Sequence, residues 1–310
     1  MATFALSGVD LRTEKCVVDE IGSVQVHLPE KSLSAQSLQV ETRNSQKYND
    51  WSKDDSSSAH QLLRKIIYTW KQKEIAEQYL IYGKQHLDEP FHWEIVPYHK
   101  SSMIFGRIWQ QFQVLWRVTF GGTTTSNEAL QKKQSEYNKA LTDSTALFDQ
   151  QVKKVAEVAK SDDAFCNPSV IEKQKVFEGK EVNVLYNYAP IGFGGERLHF
   201  LIVPKQHRTT FEEITKEEYL ESMDLAKRMI THFSDKRQIQ SAYLYHKTGV
   251  DAGQTVPHWH THLVLTTNNT QDFLGKLTVL KNMLFGSFPL KGKKLEASVE
   301  KYKTELGKCL

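Results

Sequence analysis

Three histidines separated by single residues, His258, His260 and His262, stand within Gly253-Gln254-Thr255-Val256-Pro257-His258-Trp259-His260-Thr261-His262-Leu263-Val264-Leu265. Alternation with period two marks a strand with one buried face, so the spacing predicts three imidazoles pointing the same way. Trp259, Thr261 and Leu263 then face the opposite side. Two chemistries fit such a row. Neutral imidazoles at this spacing can share a zinc ion, or one ring can attack phosphorus while its neighbours move protons. The preceding residues 249–255 carry Gly249 and Gly253 and can turn sharply, baring backbone N–H groups as anion-binding concavities do. That favours phosphate over a bare metal. A catalytic zinc would also call for a carboxylate or thiolate close by, and the local sequence offers only Asp251.

The order Gly-Gln-Thr-Val-x-His-x-His-x-His followed by apolar residues resembles the signature of the histidine-triad (HIT) superfamily of nucleotide hydrolases and transferases. Upstream, Leu198-His199-Phe200-Leu201-Ile202-Val203-Pro204-Lys205-Gln206-His207 is similar to an earlier strand of that family, which carries a histidine and ends in Pro-Lys-x-His. Residues 177–190 resemble its entry hairpin, so the likeness covers about residues 160–270. It implies that His260 is the nucleophile, attacking the α-phosphorus of a nucleotide to give a nucleotidyl-imidazole. His258 and His262 would hold the tautomer, contact phosphoryl oxygens and assist the leaving group, with His199 in support.

The same resemblance places the Thr255 hydroxyl, the Gln254 amide and the N–H groups around Gly253 against the phosphate. It gives Asn187 the ribose hydroxyls, and Leu185, Tyr188 and Ile191 are candidate walls for the base. The expected substrate is a purine nucleotide as a phosphoramidate, a dinucleoside polyphosphate or a nucleotidylated adduct. Attack by a histidine needs no metal, and Mg²⁺ is expected only with a polyphosphate substrate. Three positions depart from the family pattern. Lys247 stands where members often have Asn or Gln; it either adds a point charge for a phosphate chain or points into solvent. Asp163-Ala164-Phe165-Cys166 keeps one cysteine of a zinc-binding Cys-x-x-Cys pair, so no metal site is expected there. Pro257 precedes the triad, as a proline does in transferase branches, but those usually have glutamine at the third histidine, which favours a hydrolase. Two other readings stay open: a His₃ zinc hydrolase, and a nucleotide sensor that binds without turnover.

These residues need a scaffold, and 310 residues allow two domains of ordinary size. A net charge of +3 is too slight for nucleic acid as principal partner. The three cysteines, Cys16, Cys166 and Cys309, form no disulfide framework, and neither a signal peptide nor a long apolar run is evident. A cytoplasmic protein without a membrane partner is expected. Residues 16–28 and 38–42 read as strands and 53–59 as a serine-rich loop. Helices are expected at 60–78 and 104–120, with strands at 79–82 and 91–97 between them. Strands at 181–188, 198–203 and 242–246, helices at about 215–233 and 270–284, and the triad strand repeat that order. Residues 127–160 read as a helical connection and 291–310 as a solvated helical tail.

The repeat points to an α+β fold built from two tandem HIT-like domains, each an antiparallel sheet with packed helices, pairing as an intramolecular pseudodimer. Residues 9–125 would be a degenerate copy, 126–160 the linker and 161–310 the catalytic domain. Aligning His92-Trp93 with His258-Trp259 puts Glu94 at His260 and Val96 at His262, so the first copy lacks the chemistry. Its glycine loop is cut to Gln85-His86-Leu87-Asp88-Glu89-Pro90, whose acids would repel phosphate.

Overall fold

A computed structural model describes residues 16–43, 46–86, 89–151, 163–193, 195–270 and 272–310. The chain opens with β1 (Cys16–Ile21), β2 (Val24–Leu28), β3 (Lys31–Ser32) and β4 (Leu38–Thr42), then α1 (Lys53–Gln72), β5 (Gln78–His86), β6 (Trp93–Tyr98) and α2 (Ile104–Phe120). After β7 (Thr123–Thr124) and α3 (Asn127–Gln151) come α4 (Pro168–Gln174), β8 (Lys175–Glu178), β9 (Val182–Tyr186) and β10 (Leu198–Pro204). The chain ends with α5 (Lys216–Arg237), β11 (Ser241–Thr248), β12 (Thr261–Thr266), α6 (Phe273–Phe285) and α7 (Lys293–Leu306).

Residues 16–28 form a hairpin rather than one strand, because Gly22 at φ +61° supplies the turn. Residues 53–59, expected as a loop, are the first turns of α1. Ser52 caps this helix by accepting from the Asp55 amide while the Asp55 carboxylate takes the Ser52 amide. The helix stops at Gln72 and not at residue 78. The part of the 127–160 connection that is described is the helix α3, which packs on α1 and β1; residues 152–160 lie outside the described residues.

Ten strands form one sheet in the order β1-β2-β4-β6-β5-β11-β12-β10-β9-β8, with every neighbour antiparallel. The order reads the same from either edge to the seam between β5 and β11. Each half is thus a five-strand sheet, and the two halves pair through their inner strands as a pseudodimer. One face of the sheet packs on α1 and α5 around a core that includes Trp70, Trp93, Phe200, Phe233 and Trp259. On the other, Tyr82, Val96, Tyr98, Tyr243, Tyr245 and Val264 form a second cluster under α2 and α6, which lie side by side.

The register corrects the internal alignment. Tyr82 pairs with Tyr245 at the seam, Tyr82 lies opposite Glu94 in β6, and Tyr245 lies opposite His262 in β12. A two-fold that exchanges the two tyrosines therefore exchanges Glu94 with His262 and His92 with His260. It also superposes β6 and β12 end to end, which the alignment through His92-Trp93 and His258-Trp259 does not. Glu94 is buried and takes hydrogen bonds from Leu33 N (2.7 Å), Ser37 Oγ (2.7 Å) and Gln39 Nε2 (3.2 Å). The loop after β3 thus fills the place in the first half that is open in the second. Of the shortened loop beside it, Leu87 and Asp88 lie outside the described residues.

Candidate active site

The triad is not one strand. β12 begins at Thr261, and the residues before it are held from outside the ladder: Trp259 N donates to Arg208 O at 2.5 Å. His260 and His262 face a cleft of about 560 Å³ on the α2/α6 side of the sheet. His258 does not. Its Nε2 lies 3.2 Å from Pro204 O and its Nδ1 lies 3.4 Å from Asp163 Oδ1, so the expected row of three same-facing rings is a row of two.

Hydrogen bonds fix the tautomers of the rings that face the cleft. His260 Nδ1 lies 2.7 Å from His258 O, which only accepts, so the proton of a neutral ring sits on Nδ1 and the lone pair on Nε2. Ile191 N donates to His199 Nδ1 at 3.0 Å, which puts the His199 proton on Nε2. That nitrogen is 2.9 Å from His262 Nδ1, which accepts, leaving the His262 proton on Nε2. One backbone amide thereby sets two rings in series. His262 also stacks on Tyr245, with centroids 4.3 Å apart and 12° between the planes, and its centroid is 4.7 Å from that of His260. Burial lowers the His260 pKa to about 4 and His199 to about 3, and pushes His262 well below its ordinary value; all three are neutral imidazoles near neutral pH.

The phosphate-loop candidates divide. Thr255 is exposed at the cleft wall. Gly253 holds φ +85°, and a Cβ there would stand 3.3 Å from Lys247 Nζ, so the lysine lies against the loop and not in bulk solvent. Gln254 lines the cleft, but its amide is already engaged: Oε1 accepts from Gly249 N (2.7 Å) and Nε2 donates to Thr209 O (3.2 Å). It braces the loop. Among the nucleoside candidates, Asn187, Tyr188 and Ile191 line the cleft, and the Asn187 amide nitrogen is 3.3 Å from both His199 ring nitrogens. Leu185 does not line it. It is fully buried with Leu201 and Val203, packed against Phe165 and Ile171.

Sequence reasoning missed the contribution of the first half. Leu80, Tyr82, Tyr98, Gln111, Leu115 and Val118 form the far wall of the cleft. The loop after β11 is clamped from there as well. Asp251 receives Gln78 Nε2 at 2.5 Å and ion-pairs with Arg107 at 3.2 Å; its N–H goes to Gln78 Oε1 at 2.7 Å and its carbonyl accepts Gln111 Nε2 at 3.0 Å. No local motif signals these contacts, since they arise where strands 173 positions apart in sequence meet.

His258 belongs to a different group. Among the described residues, ligand atoms of Asp163, Cys166, His207 and His258 lie within 4.8 Å of one another, with His207 Nδ1 2.8 Å from Asp163 Oδ2. Two imidazoles, a thiolate and a carboxylate oxygen are a donor set that fits tetrahedral zinc. The lone cysteine had argued against a metal, but Asp163 occupies the position of the missing one. The spacing Asp-x-x-Cys was the available signal. No such convergence joins His258, His260 and His262.

Residues 168–269 match the family model of the HIT domain. The whole chain is similar in fold to an ADP-glucose phosphorylase from Arabidopsis thaliana, with a TM-score of 0.50 and 12% identity over 90% of this chain and 82% of that one. A uridylyltransferase structure matches over 100% of this chain and 95% of its own, at a TM-score of 0.49 and 13% identity. A zinc-bound histidine-triad protein from Mycobacterium smegmatis matches 43% of this chain at a TM-score of 0.32 and 19% identity, covering 84% of that chain.

Proposed function

We propose that the chain is an enzyme that transfers or hydrolyses nucleotidyl groups through a covalent adduct on His260. The observation that carries this reading is the proton arrangement at the cleft. His260 Nδ1–H is committed to a carbonyl, so Nε2 is a free lone pair, while the neighbouring His262 presents Nε2–H. Attack by His260 Nε2 on the α-phosphorus forms a P–N bond and breaks the bond to the leaving group, which departs hydrogen-bonded to His262 Nε2–H and takes its proton from solvent. The carbonyl of His258 supports the charge that appears on the attacking ring. Water or another acceptor then attacks the same phosphorus, loses its proton to solvent and breaks the P–N bond, which frees His260.

Lys247 and the N–H groups around Gly253, with Thr255, bind the phosphate oxygens, and Asn187 takes the ribose. The candidate substrates are nucleoside phosphoramidates, dinucleoside polyphosphates and nucleotidylated adducts of a purine. The third histidine favours water as the acceptor. No metal takes part in the attack, and Mg²⁺ accompanies only a polyphosphate. Asp163, Cys166, His207 and His258 are suited to hold a metal whose work is to brace the segment entering β12. A turnover panel over these substrates tests the reading: His260→Ala should lose about three orders of magnitude or more in kcat on any substrate that reacts. Full turnover by that variant would sink it.

A further inference from the structure

We infer that the outer face of α2 and α6 docks the protein onto an anionic lipid bilayer. The first, second and fifth residues of α2 are Ile104, Phe105 and Ile108; those of α6 are Phe273, Leu274 and Leu277. All six are exposed, Phe105 by 76% and Leu274 by 74%. The thirteenth residue of α2, Trp116, is exposed as well, and its counterpart Phe285 is exposed at the rim of the cleft. Most of their apolar area is left outside the core, although Trp116 and Phe273 both touch Phe120. The inward positions Val114, Val279 and Leu280 are buried, and Gln111, Leu115 and Met283 line the cleft. Repetition of the same exposed positions on both helices makes one apolar surface, larger than the scattered apolar residues of an ordinary protein surface.

The seam two-fold decides its shape. It exchanges adjacent strands of one sheet without exchanging the sheet's faces, so its axis is normal to the sheet. α2 and α6, related by it and packed side by side, therefore present their outer faces in one plane. A plane of aromatic and aliphatic tips suits a bilayer surface. Charge agrees. No acidic residue occurs between Glu94 and Glu128, and Asp272 alone occurs between Asp251 and Glu296. Exposed Lys100 precedes α2, and exposed Lys281 lies on α6. A second copy of this chain would bring the same cations face to face without acids to meet them, whereas anionic headgroups meet them directly. Among the described residues no helix is long and apolar enough to cross a membrane, so the helices would lie on the surface. The expectation of no membrane partner rested on the lack of a spanning segment, and this mode of binding requires none.

The test is sedimentation of the full chain with vesicles of phosphatidylcholine alone or mixed with phosphatidylglycerol, with tryptophan emission read in parallel. Wild type should pellet with the mixed vesicles, be released by salt, and shift its emission to the blue as Trp109 and Trp116 leave water. Phe105→Glu with Ile108→Glu should weaken the partition about tenfold or more at an unchanged melting temperature. Lys100→Glu with Lys281→Glu, which leaves the apolar face intact, should weaken it about tenfold for the mixed vesicles only. Wild type staying in the supernatant with both vesicles overturns the proposal. So does a wild-type dimer, seen by ultracentrifugation, that the Phe105/Ile108 pair dissolves and that binds no vesicles. The readout does not involve turnover, so failure of the nucleotidyl-transfer reading leaves it untouched.

Discussion

Lys247 is the residue whose cost is hardest to explain without a ligand. Its ammonium sits beside Gly253 and 5.7 Å from the Tyr245 ring centroid, and burial alone lowers its pKa, with no carboxylate acting in the opposite direction. A desolvated cation with no counter-charge among the described residues stands ready for an anion. Lys247→Met should therefore raise KM for a nucleotide about tenfold while raising the melting temperature by roughly 2–4 °C, a trade of function against stability. An unchanged KM would assign the lysine to solvent. At the same scale, the two histidines flanking His260 part company. His258→Ala keeps the backbone carbonyl that orients His260, so it should retain far more turnover than His260→Ala and lose thermal stability instead; equal losses in kcat would return His258 to the cleft. That His260 and His262 share one cleft was legible in the sequence because a signature ties residue type to spacing. The turning away of His258 was not, because period two says nothing about where a strand begins.

Elements hold the site through contacts made across the seam. Gly249 has φ +91°, and a Cβ on it would run into the Gln78 side chain that clamps Asp251. Gly249→Ala should destabilise by about 1–3 kcal/mol and lower kcat as the loop shifts off the cleft, both measurable by melting and steady-state assays. Neutral effects on both would show that the clamp is dispensable. Helices with strong apolar spacing, such as α2, were legible to the residue. The start of α1 was not, because Asp54, Asp55 and Ser56–Ser58 look like a loop until Ser52 and Asp55 are seen to cap each other. The internal alignment failed for a related reason: His-Trp recurs in both halves, but the pairing of Tyr82 with Tyr245 sets the true equivalence.

At the scale of the molecule, the seam makes the two halves one folding unit. Without the first half, β11 becomes an open edge strand, and such edges seek partners. A fragment spanning residues 161–310 should self-pair or aggregate; a stable monomer with full turnover would contradict this. Acid should also undo the whole. Burial lowers His60, His199 and His246 from 6.5 to about 3, so the folded state holds fewer protons than the unfolded chain. Their contribution is present above about pH 6.5 and is lost progressively as pH falls toward 3, which a melting series across that window would read as a falling Tm. The duplicated order of elements was visible in the sequence. That the worn half would build one wall of the cleft was not, since its lining residues, Leu80, Tyr82, Tyr98 and Leu115 among them, look like ordinary core residues.

The most direct measurement is the intact mass of the protein seconds after mixing with a nucleoside phosphoramidate or a dinucleoside polyphosphate in chelator, for wild type and His260→Ala. A transient, acid-labile gain of one nucleotidyl group on wild type, absent from the variant, is the expected result. Nucleotide bound by both proteins, with neither adduct nor turnover, would contradict covalent catalysis and make the chain a nucleotide sensor.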